Sequence, residues 1–475
     1  MRRCGLVYLA VVALFWGCAL GPEYARPVLE LPLAPDNDSA AQFAPFTAEG
    51  WWKLFEDPTL DCIEQEALLH NRDLKGAMAR VEEARALARV ALADRLPAAG
   101  AASGAARGRL LEDRDMDGGS RMYDAFEAFG FASFELDLWG KYRRLDEAAR
   151  AELLATESAR DAVRLWLTAD VAQFYFNLRT LEAQTRIARE QLASYDRTLE
   201  LYRKRHAAGY TQELDLRRIE ADRLATEALV YQRENALSQA GTALALLMGR
   251  SPRALVLGFT EKGKSLDELD LPVRLPENIP SDLLGRRPDI RQQEGMLMAA
   301  TARIGAARAA FFPSISLTGR NGFISSDFQD LFVDGANTWN FAGSLTQPIF
   351  EGGRLFALEK AERARREQML TLYEQAVQNA FRETRDALVA GEKTAQAQEA
   401  SLQRAQAMRR SLELSRMQHA RGYISIIDVL DIQRQYLRAE LELAAARQAR
   451  LDSIIALCRA LGGGWRESTA PVRIY

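Results

Sequence analysis

Two very long stretches without helix breakers constrain this chain most. Residues 141–208 contain neither glycine nor proline, and residues 354–421 contain no proline and only Gly391. Both are dense in Ala, Leu, Glu, Arg and Gln, which favour helices. At 1.5 Å per residue each could extend ~100 Å. Helices this long occur in coiled coils or packed helical arrays, and their equal lengths predict that the two run side by side.

Each long stretch is followed at once by a glycine, Gly209 or Gly422. A glycine just past the last helical turn commonly ends a helix because it accepts a positive φ. Sequence that favours a helix resumes shortly afterwards in both places. The sequence therefore predicts two long helical hairpins with tight tips.

The hairpins belong to a segment that is duplicated within the chain. The segment from Asp73 to Pro97 recurs 216 residues later, and residues 206–210 recur as residues 419–423, 213 residues later. In the second alignment Asp215 corresponds to Asp428. Copies of about 210 residues are much longer than solenoid repeats, so we interpret them as a duplicated supersecondary unit.

Upstream of each long stretch, the sequence pattern changes to one that is typical of β-strands. Residues 314–319 and 339–346 alternate apolar and small polar residues, which is the period of a strand with one apolar face. Their first-copy counterparts are the aromatic residues 126–137 and the Ala/Gly-rich residues 98–107, joined by a polar loop at 110–122 as the second pair is joined at 325–337. Short alternating segments of this kind indicate an outer-membrane β-barrel.

Four strands cannot close a barrel by themselves. An open edge in lipid leaves backbone groups unpaired at a cost of several kcal/mol each. Two chains would give eight strands and an interior filled by side chains, whereas three would give twelve strands and an aqueous lumen. A trimer is therefore the smallest assembly that would make a conduit.

The N-terminus predicts export. Two arginines precede an apolar run at residues 5–16, which is too short to cross a bilayer core of ~30 Å and fits a secretory signal. Cys18 follows Gly17 at the end of this run, as at a bacterial lipoprotein site, although Phe15 and Trp16 depart from the usual pattern. Either Cys18 is lipidated, or cleavage lies elsewhere and Cys18 is an ordinary thiol.

Two cysteines remain in the mature region, Cys62 and Cys458. In an oxidising periplasm they could pair, or both could be buried thiols on helices.

Several classes of function find no support. A net charge of −3 without a dense basic run gives no case for nucleic acid. There is no Cys/His cluster with metal-ligand spacing, no phosphate-binding loop and no nucleophile motif. We expect neither an enzyme nor a cofactor.

Several short motifs, in order, resemble the TolC-like outer membrane factors of tripartite efflux pumps, in their lipoprotein branch. The motifs are Gly-Pro-Glu-Tyr at 21–24, Arg-Pro at 26–27, Asp-Pro-Thr-Leu at 57–60, Glu-Leu-Asp-Leu-Trp-Gly at 135–140, Leu-Leu at 283–284, Arg-Arg-Pro-Asp-Ile at 286–290 and Gln-Pro-Ile-Phe-Glu-Gly-Gly-Arg at 347–354. The resemblance spans nearly the whole mature chain. It implies a mainly α fold with a small transmembrane β portion, in which a homotrimer forms a twelve-stranded barrel on a helical periplasmic tunnel.

The resemblance also implies partners and boundaries. A periplasmic adaptor protein would join the channel to an inner-membrane transporter of the RND type, and the chain would be anchored in outer-membrane lipid of a Gram-negative bacterium. The expected segments are a signal peptide at 1–17, an anchored extended segment at 18–56, a first repeat at 57–259, a linker at 260–280, a second repeat at 281–465 and a tail at 466–475.

Members of this family constrict the tunnel with acidic residues just after the second hairpin tip. Asp428 and Asp431 occupy that place, and residues three apart share one helix face. In a trimer they would give six carboxylates around the axis, favouring cations. The alternative is that Ser425 and Asp428 form a capping box and the acids serve the helix dipole.

The tips themselves are candidate adaptor contacts: Gly209, Tyr210, Thr211, Gly422, Tyr423, Ile424 and Ser425. Exposed apolar residues at a loop tip suggest a partner, but these residues could instead pack the two tips together.

Three functions fit these observations. The first is an exit channel that passively conducts small toxic compounds, such as drugs, detergents or metal ions, from an efflux transporter. The second is the duct of a type I protein-secretion system. The third is a periplasmic coiled-coil scaffold without a pore, against which the alternating strand segments argue.

Overall fold

The computed structural model describes residues 19–29, 46, 49–111, 120–257, 261–269, 285 and 287–463. Cys18, the expected signal peptide and the expected tail lie outside the described residues. The helices are α1 Pro58–His70, α2 Arg72–Ala93, α3 Lys141–Ala207, α4 Glu213–Leu247, α5 Pro252–Leu257, α6 Pro288–Ala309, α7 Arg354–Ala420 and α8 Ile426–Ala460. The strands are β1 Ala98–Leu111, β2 Ser120–Leu136, β3 Ser314–Ser325 and β4 Asn337–Thr346.

The predicted duplication and the mainly α fold class are confirmed. The two stretches without breakers form α3 and α7, each of 67 residues. The helices that follow them, α4 and α8, each have 35 residues. Each copy therefore contains two strands followed by a long helical hairpin.

The described residues form two compact units. We call those within 1–28, 80–157 and 292–374 the sheet unit, and those within 29–79, 158–291 and 375–475 the helical unit.

The sheet unit contains one antiparallel sheet in the order β1-β2-β3-β4. All four predicted strands are confirmed, but the predicted loop at 110–122 is wrong at both ends. The β1–β2 ladder continues from Ala98 opposite Ser133 to Leu111 opposite Ser120, because the backbone pairing persists where the sequence stops alternating.

The register divides the sheet into two faces. Leu136, Ile315 and Leu345 lie side by side on one of them, so the residues two positions further along each strand share that face. This face, which we call the apolar face, carries Phe126, Phe134, Leu136, Ile315, Leu317, Phe323, Trp339, Phe341 and Leu345. Its polar members include Asn321 and, beyond Phe126 toward the β1–β2 loop, the ion pair of Arg107 with Asp124. The opposite face, which we call the polar face, carries Glu127, Phe129, Phe131, Ser133, Glu135, Ser316, Thr318, Arg320, Asn340 and Ser344.

The small residues of β1 make room for larger neighbours. A Cβ at Gly100 would come within 2.6 Å of the Phe131 ring, and one at Gly108 within 2.4 Å of the Tyr123 ring. Both rings lie over β1 from the adjacent strand β2. The Ala/Gly-rich composition of β1 is thus a packing requirement.

The helical unit is held by an aromatic core. The Phe55 and Phe176 rings meet edge to face with centroids 4.7 Å apart, and Trp51 packs beside Phe55. The buried Tyr175 hydroxyl donates to the Asp57 carboxylate, which also caps α1 by accepting from the Thr59 N–H at 2.9 Å. The hydrogen bond between Tyr175 and Asp57 joins the start of α1 to the middle of α3.

The two cysteines of the described chain are both free thiols. Cys458 is buried, but Cys62 is exposed, so the interpretation of two buried helix cysteines is wrong for Cys62. Cys62 lies on the solvent side of α1, whose opposite side carries the buried Leu60 and Ile63. None of the described helices is both long enough and apolar enough to cross a membrane.

Candidate functional site: the helical hairpin tips

The two hairpin tips have the same backbone turn. Gly209 and Gly422 adopt φ of 77° and 82°. The N–H of each glycine donates to the carbonyl three residues back, and the next N–H donates to the carbonyl five residues back. This is the Schellman motif, which glycine favours because it has no Cβ. The predicted ends of α3 and α7 are confirmed.

A histidine stabilises each tip from inside the last helical turn. His206 Nδ1 lies 3.0 Å from the Thr211 carbonyl oxygen, and His419 Nδ1 lies 2.9 Å from that of Ile424. Since a carbonyl only accepts, Nδ1 carries the hydrogen in both rings. The sequence showed these histidines to be repeat-related but did not indicate this role.

His419 also joins the two hairpins. The Tyr202 hydroxyl on α3 lies 2.8 Å from His419 Nε2 on α7. Burial raises the pKa of Tyr202, so the phenol keeps its hydrogen and donates it to the ring nitrogen. The first and second tips are therefore tied together through side chains 217 positions apart.

Of the seven candidate adaptor contacts, Thr211 is half-buried and Ser425 caps α8, and the other five divide into two groups. Tyr210 and Tyr423 are 84% and 76% exposed, and Cβ atoms at the two tip glycines would meet nothing within 4 Å. Ile424, in contrast, packs against a core formed by residues of both hairpins, including Tyr202 and Ile426. The two tyrosines thus stand free at the tips, whereas Ile424 holds the tips together.

Asp428 takes part in a capping box at the start of α8. Its Oδ2 accepts from the Ser425 backbone N–H at 3.0 Å and from the Ser425 hydroxyl at 2.8 Å, while its own N–H donates to Ser425 Oγ at 3.3 Å. The side chain is nevertheless exposed. Asp428 therefore caps α8, and its carboxylate is still exposed to solvent.

The packing of α8 sets the direction of both acids. Ile426, Val429 and Leu430 are buried in the core between the hairpins. Positions 428 and 431 fall on the opposite side of a helix with 3.6 residues per turn. Asp428 and Asp431 thus share the exposed side of α8, as their spacing predicts.

Asp431 has a partner three residues along the same helix, a spacing from which the pair could have been predicted. Arg434, one turn along α8, forms an ion pair with Asp431 and also donates to Asp222 Oδ1 on α4 at 3.0 Å. Asp222 is mostly buried, next to Tyr195, whose pKa is raised to about 12 by burial with a smaller effect from that carboxylate. The start of α8 and the neighbouring part of α4 together carry three carboxylates, the exposed Asp428 and Asp431 and the mostly buried Asp222, against the one guanidinium of Arg434.

Two helical hairpins with tight tips and a four-stranded sheet with open edges are the architecture expected of an outer-membrane channel subunit. The outer membrane efflux protein family matches residues 63–250 and 279–463, and the chain belongs to this family. It is the outer-membrane exit component of an efflux system, and the interpretation as a scaffold without a pore is wrong.

Individual relatives agree. The chain is 36% identical over 471 residues to the cation efflux system protein CusC of Escherichia coli O6:H1, covering 98% of this chain and all of that protein. It is 33% identical over 474 residues to the toluene efflux pump outer membrane protein TtgC of Pseudomonas putida, covering 98% and 96%. The solved structure of the outer-membrane channel OprN superposes with a TM-score of 0.85 at 30% identity, covering 94% of this chain and 100% of that one.

Proposed function

We propose that three copies of this chain form the channel, each contributing the four strands of its sheet to a twelve-stranded barrel. The single observation that carries this proposal is the open sheet with one apolar and one polar face. Within the described residues β1 and β4 each pair on one side only. Lipid tolerates no free edge, so the edges would pair between copies, with the apolar face toward lipid and the polar face toward the lumen.

The size of the apolar face supports this orientation. Its apolar side chains on β2 run from Phe126 to Leu136. Ten residues at about 3.3 Å each, tilted by about 40°, span about 25 Å along the membrane normal. That is the height of the outward apolar band in outer-membrane barrels.

The location and assembly can be tested together. The protein should fractionate with the outer membrane, and cross-linking in mild detergent should trap a trimer, because only closure satisfies the strand edges. Gel mobility before and after heating would show the trimer directly. A soluble periplasmic monomer would rule the proposal out.

We infer that Cys18 is the lipid anchor, from the position of the residues that follow it. The Leu20 N–H donates to the Trp139 carbonyl at 3.2 Å, and a Cβ at Gly140 would come within 2.9 Å of Ala19. Trp139 and Gly140 lie just beyond the end of β2 at Leu136. In the proposed barrel this is the periplasmic boundary of the membrane, where acyl chains on Cys18 would enter the inner leaflet.

The anchor has its own test. Replacing Cys18 by Ala should abolish incorporation of radiolabelled palmitate, because the thiol is the acylated group. A Cys62→Ser variant, which removes the exposed thiol of α1, should label as the unmodified protein does. Unchanged labelling of the Cys18→Ala variant would show that the anchor lies elsewhere.

At the tips we propose two roles. Tyr210 and Tyr423, with the turns around Gly209, Thr211, Gly422, Ile424 and Ser425, would meet a periplasmic adaptor protein, which links the channel to an inner-membrane transporter of the RND type. Asp428 and Asp431 would form the constriction of the tunnel. The exposure of the two tyrosines and of the two carboxylates supports these roles.

The cargo would be small toxic compounds. CusC is named for cation efflux and TtgC for toluene efflux, so relatives of this chain serve chemically different cargo. This supports a passive duct whose selectivity resides largely in the transporter. We also propose the repeat boundaries 57–259 and 281–465 with the linker 260–280, which the two family matches support.

A further inference from the structure

The loop between β3 and β4, residues 326–336, folds onto the apolar face of the sheet. The Phe328 ring meets Phe126 edge to face with centroids 5.5 Å apart, and Phe332 meets Phe323 at the same distance. Phe126 and Phe323 both belong to the apolar face, since Phe126 lies opposite Ser325 and Phe323 opposite Ala128. The loop therefore leans over the side of the sheet that carries the apolar residues.

Most of the apolar surface of this loop remains uncovered. Leu331 is buried beneath it, but Phe328 and Phe332 are 68% and 69% exposed, and Val333 is about half exposed. Exposed apolar surface costs roughly 25 cal/mol per Å² relative to burial. Large exposed aromatics beside an apolar face mark a contact surface.

The same loop carries charges among its apolar residues. Asp327, Asp330 and Asp334 are all exposed, and two short 3₁₀ turns, Phe328–Asp330 and Asp334–Ala336, give it a defined shape. A segment with both aromatic and acidic side chains does not belong in hydrocarbon, where a charge is expensive. It suits the boundary between headgroups and acyl chains, where aromatic residues of outer-membrane barrels collect.

The connections of the strands place this loop at one membrane surface. The opposite ends of β3 and β4, at Ser314 and Thr346, lead into α6 and α7, which are periplasmic in the proposed function. The loop therefore lies at the extracellular end of the barrel. The lipid beside it is the outer leaflet.

A second copy of the chain is a poorer occupant. The loop contacts Phe126 on β2 and Phe323 on β3, the two central strands of the sheet. Copies would join through the edge strands β1 and β4. Lipid is the component that covers the middle of the apolar face.

We propose that the 326–336 loop is a membrane-interface anchor, seated in the outer leaflet with Phe328 and Phe332 at the acyl-chain boundary and its acids among the headgroups. This inference rests on the proposed barrel orientation. It has a consequence for transport, because a loop that folds outward does not itself cover the channel mouth.

Spin-label accessibility tests the placement. In the Cys62→Ser background, single cysteines at Phe328 or Phe332 carry a nitroxide on the full-length trimer reconstituted in lipid vesicles. Power saturation then compares oxygen, which concentrates in lipid, with a nickel chelate, which stays in water. Leu317→Cys and Thr318→Cys are the matched controls, since these neighbours on β3 lie on the apolar and polar faces. The Cys62→Ser protein alone reports background labelling.

The expected result is a high oxygen-to-nickel ratio at 328 and 332, close to that at 317 and well above that at 318. A ratio like that at 318 would put the loop in water, and protection from both reagents would put it against protein. Either result would overturn the loop placement alone. Equal ratios at 317 and 318 would overturn the barrel orientation and the loop placement with it.

Discussion

Replacing both Asp428 and Asp431 by Asn is expected to remove most of the cation preference and multivalent-cation block of the trimer in planar bilayers. Two acids from each of three copies would place six carboxylates around the proposed constriction, and clustered carboxylates bind a multivalent cation far better than one does. Asparagine keeps the size and much of the hydrogen bonding while removing the charge. We expect block to weaken by at least about tenfold, which corresponds to ~1.4 kcal/mol.

A substitution of Arg434 should change cation preference and block in the opposite direction. It pairs with Asp431 and Asp222, so in each chain it offsets one of three negative charges. Arg434→Gln should therefore strengthen cation preference and block. Asp215→Asn is the matched control: it corresponds to Asp428 in the first hairpin and should change neither property.

The helix-cap interpretation makes a different prediction for the same double variant. If the acids serve mainly the start of α8, the variant should lose ~1 kcal/mol of local stability and keep its selectivity and block. Measuring conductance beside thermal stability separates the two roles. Unchanged conductance in the double variant would refute the pore assignment.

The features that the sequence predicted well are those decided locally. Gly209 and Gly422 end α3 and α7 because a positive φ is an intrinsic property of that position. The strands at Ser314–Ser325 and Asn337–Thr346 follow from an alternation that any sheet with two unlike faces requires. Duplication strengthened each of these predictions, since a weak signal in one copy had a clearer counterpart in the other.

The features that were missed depend on side chains that meet from distant parts of the chain. Arg434 reaches Asp222 across 212 positions, and Tyr202 reaches His419 across 217. The pairing of Arg434 with Asp431 has a local signal, the spacing of three residues on one helix. No local pattern specifies that the same arginine reaches Asp222, or that Phe328 folds back onto Phe126. The exposure of Cys62 likewise depends on which side of α1 faces the core.

Arginine substitutions at two neighbouring residues of β3 test which face of the sheet contacts lipid. Leu317 lies on the apolar face beside Phe134 and Gly343, and Thr318 lies on the polar face beside Ser133 and Ala342. Leu317→Arg should lower the amount of heat-sensitive trimer in the outer membrane, because an arginine facing lipid costs ~2–4 kcal/mol at the midplane and less toward the boundary, and each of the three copies carries it. Thr318→Arg places the same charge in the proposed aqueous lumen, so trimers should form at the usual level and conduct anions more readily.

Equal trimer yields from the two variants would show that the apolar face does not contact lipid. Loss of only the Thr318→Arg trimer would mean that the sheet closes with the opposite face outward.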